Sequence, residues 1–264
     1  MHNPPQPDSA PCLDVRGVSK TFRDGGHDVQ ALADVSLSAQ PGELITIIGP
    51  SGSGKSTLFN LITGLAQPDS GEIIINGAPI GHRTGRVGYM PQRDLLLPWR
   101  TVLNNVILGP ELDGRPRKEA RQRARDLMPL FGLDGFEDAF PDTLSGGMRQ
   151  RAALLRTFLT DRDVLLLDEP FGALDALTRR DLQRWLLDVW QRFRKTILFI
   201  THDVEEAVFL GDRVLVFSAR PGRIVRELHV DLPRPRGSLS VVSEDLRRLE
   251  AELLDALEQA ETRA

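Results

Sequence analysis

The chain has 264 residues, 41% of them apolar and 27% charged, with a formal net charge of -4. That length and composition suit one or two globular domains and exclude whole-chain disorder, a collagen-like fibre or a small disulfide scaffold. No apolar stretch nears the roughly 18 residues that a membrane-spanning helix needs, and the slight acidic excess argues against nucleic acid as a partner. The single Cys12 cannot form an internal disulfide, which fits a reducing compartment.

Residues 1–11 contain Pro4, Pro5, Pro7 and Pro11 and lack the basic-then-apolar pattern of a signal peptide, so a disordered tail is expected there. Residues 13–18 and 35–37 alternate like half-exposed strands, and residues 44–48 read as a buried one. Short strands are expected at 72–75 and 87–90, followed by helical periodicity from 101 to 131. From Met148 the order is helix, strand (164–167), helix (176–192), strand (196–200), helix (204–210) and strand (213–217). Such alternation builds βαβ crossovers and a parallel sheet covered on both faces. The Pro- and Arg-rich residues 232–237 read as a linker. Beyond it Leu246, Leu249, Leu253 and Leu257 give an amphipathic helix whose stripe is expected to pack on the protein's own body, with a dimer or partner contact as the alternative.

The sequence Gly49-Pro50-Ser51-Gly52-Ser53-Gly54-Lys55-Ser56 matches G-x-x-x-x-G-K-[ST] at every constrained position, and Thr57 extends it. It follows an apolar strand and opens a helix, the context that this phosphate-binding loop requires. Its glycines let successive backbone N–H groups converge on phosphate oxygens at the positive end of a helix dipole. Lys55 is suited to neutralise the β and γ phosphates, and the Ser56 hydroxyl to ligate Mg²⁺. Residues 164–167 run into Asp168 and Glu169, two carboxylates at the C-terminal end of a buried strand, where ligands sit in open α/β sheets. By itself an apolar run ending in two acids is more often a strand entering a solvated turn. Beside a phosphate loop, Asp168 is suited to the Mg²⁺ shell and Glu169 to polarising an attacking water.

Between these motifs, Leu144-Ser145-Gly146-Gly147-Met148 closely resembles the LSGGQ signature of ATP-binding-cassette (ABC) ATPases, departing at Met148. Alone, Ser-Gly-Gly before a periodic segment is an ordinary helix N-cap. The family's other elements follow in order: Gln92 resembles the Q-loop glutamine, Ala173-Leu174-Asp175 the D-loop, His202 the switch histidine, and Phe22 the aromatic that stacks on adenine. The resemblance implies an α/β fold with a RecA-like P-loop NTPase core, an antiparallel β subdomain and a helical subdomain near residues 93–160. The cassette then spans 12–230, with 231–264 as linker and terminal helix. It also implies ATP and Mg²⁺ as ligands. ATP is held by Phe22, residues 49–57, Ser145, Gly146 and Gly147; the cation by Ser56, Gln92 and Asp168; and Glu169, His202, Gln92 and Lys55 serve catalysis. In such proteins the signature caps ATP bound to a second copy of the chain.

Two functional classes fit. The first is the ATPase subunit of a membrane transporter, peripheral on the cytoplasmic membrane face and docked on a separate permease. The second is a soluble ABC ATPase acting on nucleic acid or a macromolecular assembly; it would be expected to carry a long coiled-coil insertion or a second cassette, and neither is present. An unrelated small-molecule kinase leaves Ser145–Gly147 and His202 unexplained. The segment Gln92–Trp99 is unusually apolar, and part of it fits a groove for a permease coupling helix, with Trp99 as anchor; its residues equally fit the core of the helical subdomain. The stretches around Tyr89–Val106, Pro170–Arg179 and Arg220-Pro221-Gly222-Arg223-Ile224 resemble the nitrate, sulfonate and taurine importer subgroup. That implies import of a small anion delivered by a solute-binding protein.

Overall fold

The computed structural model describes residues 10–24, 27–79, 84–236 and 244–262; most of the expected N-terminal tail lies outside them. Strands β1 (Leu13–Asp24) and β2 (His27–Ala39) pair antiparallel and run well past the short alternating stretches of the sequence. Register shifts between Val15 and Thr21 account for this: each irregularity moves apolar residues to the other face, so the period-2 pattern breaks while pairing continues.

The buried strand β3 (Leu44–Ile48) leads into α1 (Lys55–Thr63), which Gly64 closes in the left-handed conformation. β4 (Ser70–Ile75) and β5 (Ala78–Pro79) complete a four-stranded antiparallel sheet of order β2-β1-β4-β5. After β6 (Gly88–Met90), the single periodic stretch expected over 101–131 is three helices, α2 (Val102–Val106), α3 (Leu108–Leu112) and α4 (Arg117–Leu127). Pro110 offers no N–H to the Val106 carbonyl and Pro116 opens α4, so proline divides what hydrophobic spacing joins.

The chain continues through α5 (Gly146–Phe158), β7 (Val164–Asp168), α6 (Ala176–Phe193), β8 (Thr196–Ile200), α7 (Val204–Leu210), β9 (Arg213–Phe217), β10 (Ile224–His229) and α8 (Glu244–Thr262). β10 carries no alternating signal because, as an edge strand, it buries only Leu228. The second sheet has the order β10-β9-β3-β8-β7-β6 and is parallel except for β10. Its strands β3, β7 and β8 are buried on both faces and alternate between two cores. Val164 and Leu166 of β7 meet Phe59 of α1 and the small sheet, while Leu165 and Leu167 meet the helices around Leu154 and Leu186. The C-terminal ends of β3, β6, β7, β8 and β9 therefore open on one edge.

A third core forms where Leu246, Leu253 and Ala260 of α8 pack on Val208, Val214 and Leu228, so the stripe of the terminal helix covers the protein's own body. The linker expected over 232–237 is corrected for its described residues, 232–236: Leu232 and Arg236 are buried, as is the Arg234 side chain. Arg236 Nη1 donates to the carbonyls of Val208 (3.0 Å), Phe209 (3.0 Å) and Gly211 (2.6 Å). Arg234 Nη2 donates to Leu210 O at 2.7 Å and pairs with Asp212, its guanidinium lying 4.3 Å from the Trp190 ring centre. The two arginines thus satisfy the last carbonyls of α7, which helix geometry leaves without partners. Composition alone suggested a solvated segment because arginine is seldom buried unless its donors are used. Replacing Arg236 by Met is expected to destabilise the fold by roughly 2–4 kcal/mol, since several buried carbonyls lose their donor together; urea unfolding midpoints of the two chains measure this.

Candidate nucleotide site

The turn between β3 and α1 is shaped by backbone contact. A Cβ on Gly49 would lie 2.7 Å from Phe217 O, and one on Gly54 (φ +93°) would lie 2.6 Å from Ala31 O. Only glycine fits at either position. Within this loop Lys55 Nζ donates to the carbonyls of Gly49 and Pro50, both at 2.8 Å, and to Ser53 Oγ at 3.1 Å. Burial lowers the Lys55 pKa, opposed by the nearby charges of Glu169 and Asp168.

Ser51 through Thr57 line a cleft of about 360 Å³ together with Phe22, Val29, Ala31, Glu169 and Arg220. Phe22 stands on β1 opposite Val29 of β2 and is 45% exposed, with Lys20 Nζ over its ring at 5.7 Å from the centre. Asp168 closes β7 and is almost fully buried; burial raises its pKa, while a hydrogen bond from the Ser56 hydroxyl lowers it.

Glu169 follows with φ +46°, a left-handed conformation that costs a non-glycine residue about 1–2 kcal/mol. Its N–H donates to Ile200 O at 3.0 Å and its carbonyl accepts from Gly172 N at 3.1 Å, and these bonds hold the turn. The turn brings its carboxylate to two other predicted residues. Gln92 Nε2 donates to Glu169 Oε2 at 3.1 Å, and His202 Nδ1 lies 3.4 Å from the same oxygen. Gln92 is thus bonded to Glu169, whereas the Ser56 side chain, at the start of α1, interacts with that of Asp168 at the end of β7.

Ser145 caps α5, its Oγ accepting from Met148 N at 3.3 Å, with Gly146 and Gly147 in the first turn. A Cβ on Gly146 would meet Leu174 at 3.3 Å and one on Gly147 would meet Thr178 at 3.1 Å, so the signature packs against the segment that follows Glu169. These residues do not line the cleft of residues 51–57. The side chain of Met148, where glutamine is usual, packs on the helical core.

The sequence matches the ABC transporter family over residues 32–172. The chain belongs to that family. Relatives include the aliphatic sulfonates import ATP-binding protein SsuB of Bacillus cereus, 41% identical with 89% of this chain and 93% of the relative covered. The taurine import ATP-binding protein TauB of Pseudomonas putida is 45% identical over 83% of each chain. A solved dimeric ATP-binding cassette, bound to ADP and Pi, superposes with a TM-score of 0.72 at 31% identity, covering 84% of this chain and all of that one. The fold is that of an ABC ATPase, and the chain is an ATP-binding transporter subunit.

One residue that lines the cleft escaped sequence reasoning. Arg220 reaches the cleft from the β9–β10 loop; it lies in the stretch that resembles the importer subgroup, but no spacing rule ties it to the phosphate loop. Tyr89, on β6, is half-buried with its ring 6.3 Å from that of Phe59. Burial, and then the Asp168 charge, push its pKa from the ordinary 10 up to about 12. The fold therefore favours the neutral phenol, and stability from this group declines as pH rises from 10 towards 12. As Tyr89 is the only tyrosine in the chain, alkaline titration followed by ultraviolet absorbance is expected to show a midpoint near 12, moved downward by Asp168→Asn.

Proposed function

We propose that the chain hydrolyses ATP in an importer for small sulfonate-class anions, with Glu169 as the general base. The observation that carries the catalytic reading is the convergence of Gln92 and His202 on one oxygen of Glu169, whose backbone is held in a strained turn. In this arrangement Phe22 stacks on adenine, while the loop N–H groups and Lys55 bind the β and γ phosphates. Gln92 and His202 orient the carboxylate that takes the proton from water attacking the γ phosphate.

Mg²⁺ fits the residues present. Ser56 and Asp168 are two hard oxygen donors whose side chains interact, and the Asp168 carboxylate is desolvated. When bound, the cation supplies charge neutralisation at the β and γ phosphates.

The position of Ser145, Gly146 and Gly147 outside the cleft supports closure by a second copy, as does the dimeric state of the solved relative. Each signature helix start would cover the partner's γ phosphate. No described helix is long and apolar enough to cross a membrane. The likeness to import ATP-binding proteins supports a separate permease as the translocation path and the cytoplasmic membrane face as the place of this chain. Docking falls on the segment after Gln92. Trp99 is 73% and Leu95 57% exposed, while Asn105 pins the backbone around them by bonding Leu97, Arg100 and Thr101. A rigid, exposed tryptophan is the kind of anchor that dominates interfaces. The solute class rests on the two importer relatives; a binding protein and the permease would contact the solute itself.

Glu169→Gln is expected to bind ATP as the parent does, to lose hydrolysis by about 10²–10⁴-fold, and to accumulate as an ATP-bound dimer on size exclusion; near-normal turnover removes Glu169 from the role. Lys55→Ala is expected to weaken ATP affinity itself, read by calorimetric titration. Cells lacking this chain are expected to lose uptake of labelled taurine or alkanesulfonate and to regain it with the parent but not with Glu169→Gln.

A further inference from the structure

The cleft contains a second cation for which the reading above has no task. Arg220 lines it with Phe22, Lys55 and Glu169, and its Nε donates to Gly52 O at 3.3 Å. Its Nη2 lies 3.2 Å from where a Gly52 Cβ would stand, so the guanidinium covers the first half of the phosphate loop. The side chain is exposed, and among the described residues no carboxylate pairs with it. Most other arginines near a functional element are spoken for: Arg234 pairs with Asp212, Arg156 holds the carbonyls of Asp94 and Leu95, and Arg179 pairs with Asp203.

The loop that presents Arg220 is fixed from several sides. Gly222 N donates to Ala31 O at 2.9 Å, Ala33 N donates to Gly222 O at 3.0 Å, and Arg223 N donates to Ser218 Oγ at 3.0 Å. A Cβ on Gly222 would lie 2.0 Å from Ser53 O. Ala219 N donates to Ala260 O at 3.3 Å, so the residue before Arg220 is tied to the last turns of α8. This bracing of the phosphate loop is complete without the guanidinium, which itself lines the cleft. A planar fork of donors without a carboxylate partner, beside a phosphate cradle, has the geometry for bidentate phosphate recognition.

We propose that Arg220 is a phosphate-binding residue of this site, contacting the polyphosphate of ATP alongside Lys55. The proposal rests on residues 49–57 being the ATP cradle. It makes the β9–β10 loop, which carries the Arg-Pro-Gly-Arg stretch, a working wall of the nucleotide site.

The test titrates the full chain with a non-hydrolysable ATP analogue, ADP and AMP, each with Mg²⁺, by calorimetry, for the parent, Arg220→Gln, Arg220→Lys and Lys55→Ala. Arg220→Gln is expected to weaken the ATP analogue about tenfold, as for loss of one charge-assisted contact, and AMP by less than about twofold. Arg220→Lys is expected to recover part of the loss, and the salt dependence of binding is expected to become shallower in Arg220→Gln. Thermal unfolding without nucleotide checks the fold, and a lowered midpoint in Arg220→Gln leaves Arg220→Lys to decide by the same nucleotide series. Equal losses for all three nucleotides assign Arg220 to bracing and overturn the proposal. Unchanged affinity with Arg220→Gln, while Lys55→Ala fails to bind, also overturns it and leaves the ATP-cradle reading standing. If Lys55→Ala binds the analogue as the parent does, the cradle reading itself falls, and the proposal with it.

Discussion

The phosphate loop is held by backbone packed directly on backbone. Gly49 lies against Phe217 at the end of β9, Gly54 against Ala31 of β2, and Gly222 against the Ser53 carbonyl, each with no space for a methyl group. Three separate segments therefore fix the path of residues 49–54, and the small antiparallel sheet is joined to the parallel one at the point where phosphate would bind. Donors set in place by such packing need no reorganisation when an anion arrives, which is the physical basis of electrostatic preorganisation. The side-chain cores on both faces of the parallel sheet hold these segments in register.

Burial opposes the ionised form of the two most desolvated groups at this point. Lys55 is depressed and Asp168 raised, and each is partly compensated by a local partner: carbonyls and Ser53 for the amine, the Ser56 hydroxyl for the acid. An anionic polyphosphate next to Lys55 and a cation next to Asp168 would each favour the charged form that burial opposes. Glu169 is treated differently. Its extended neighbour Asp168 ends the strand, and the left-handed φ at Glu169 turns the next carboxylate away towards Gln92 and His202. Adjacent acids thereby acquire separate surroundings, the condition for two carboxylates to take different roles.

Much of this was legible in the residues. Strand β8, helix α7 and strand β9 have the bounds that periodicity sets, because buried parallel strands and a capped helix carry strong local signals. The phosphate loop is legible because its chemistry leaves few alternatives to glycine and lysine. What is not legible depends on contacts remote in sequence. Bulges in β1 and β2 erase alternation, Pro110 splits a periodic stretch, and β10 is defined by pairing with β9 rather than by its own pattern. Arg234 and Arg236 look like solvated linker residues until the open end of α7 is brought against them. Arg220 likewise acquires meaning only when the β9–β10 loop reaches Gly52.

The two partners of Glu169 are anchored unequally. His202 sits just before α7, whose start is capped by the Asp203 carboxylate on Glu206 N and whose end is closed by Arg234 and Arg236, with α8 packed along it. Gln92 comes from the edge strand β6, is exposed, and reaches Glu169 through one hydrogen bond at the head of the segment that leads to Leu95 and Trp99. Arg156 and Asn105 hold the backbone of that segment through the carbonyls of Asp94, Leu95 and Arg100. Of the two contacts on the carboxylate, the Gln92 bond therefore comes from an exposed segment and the His202 contact from the entry to a helix braced at both ends.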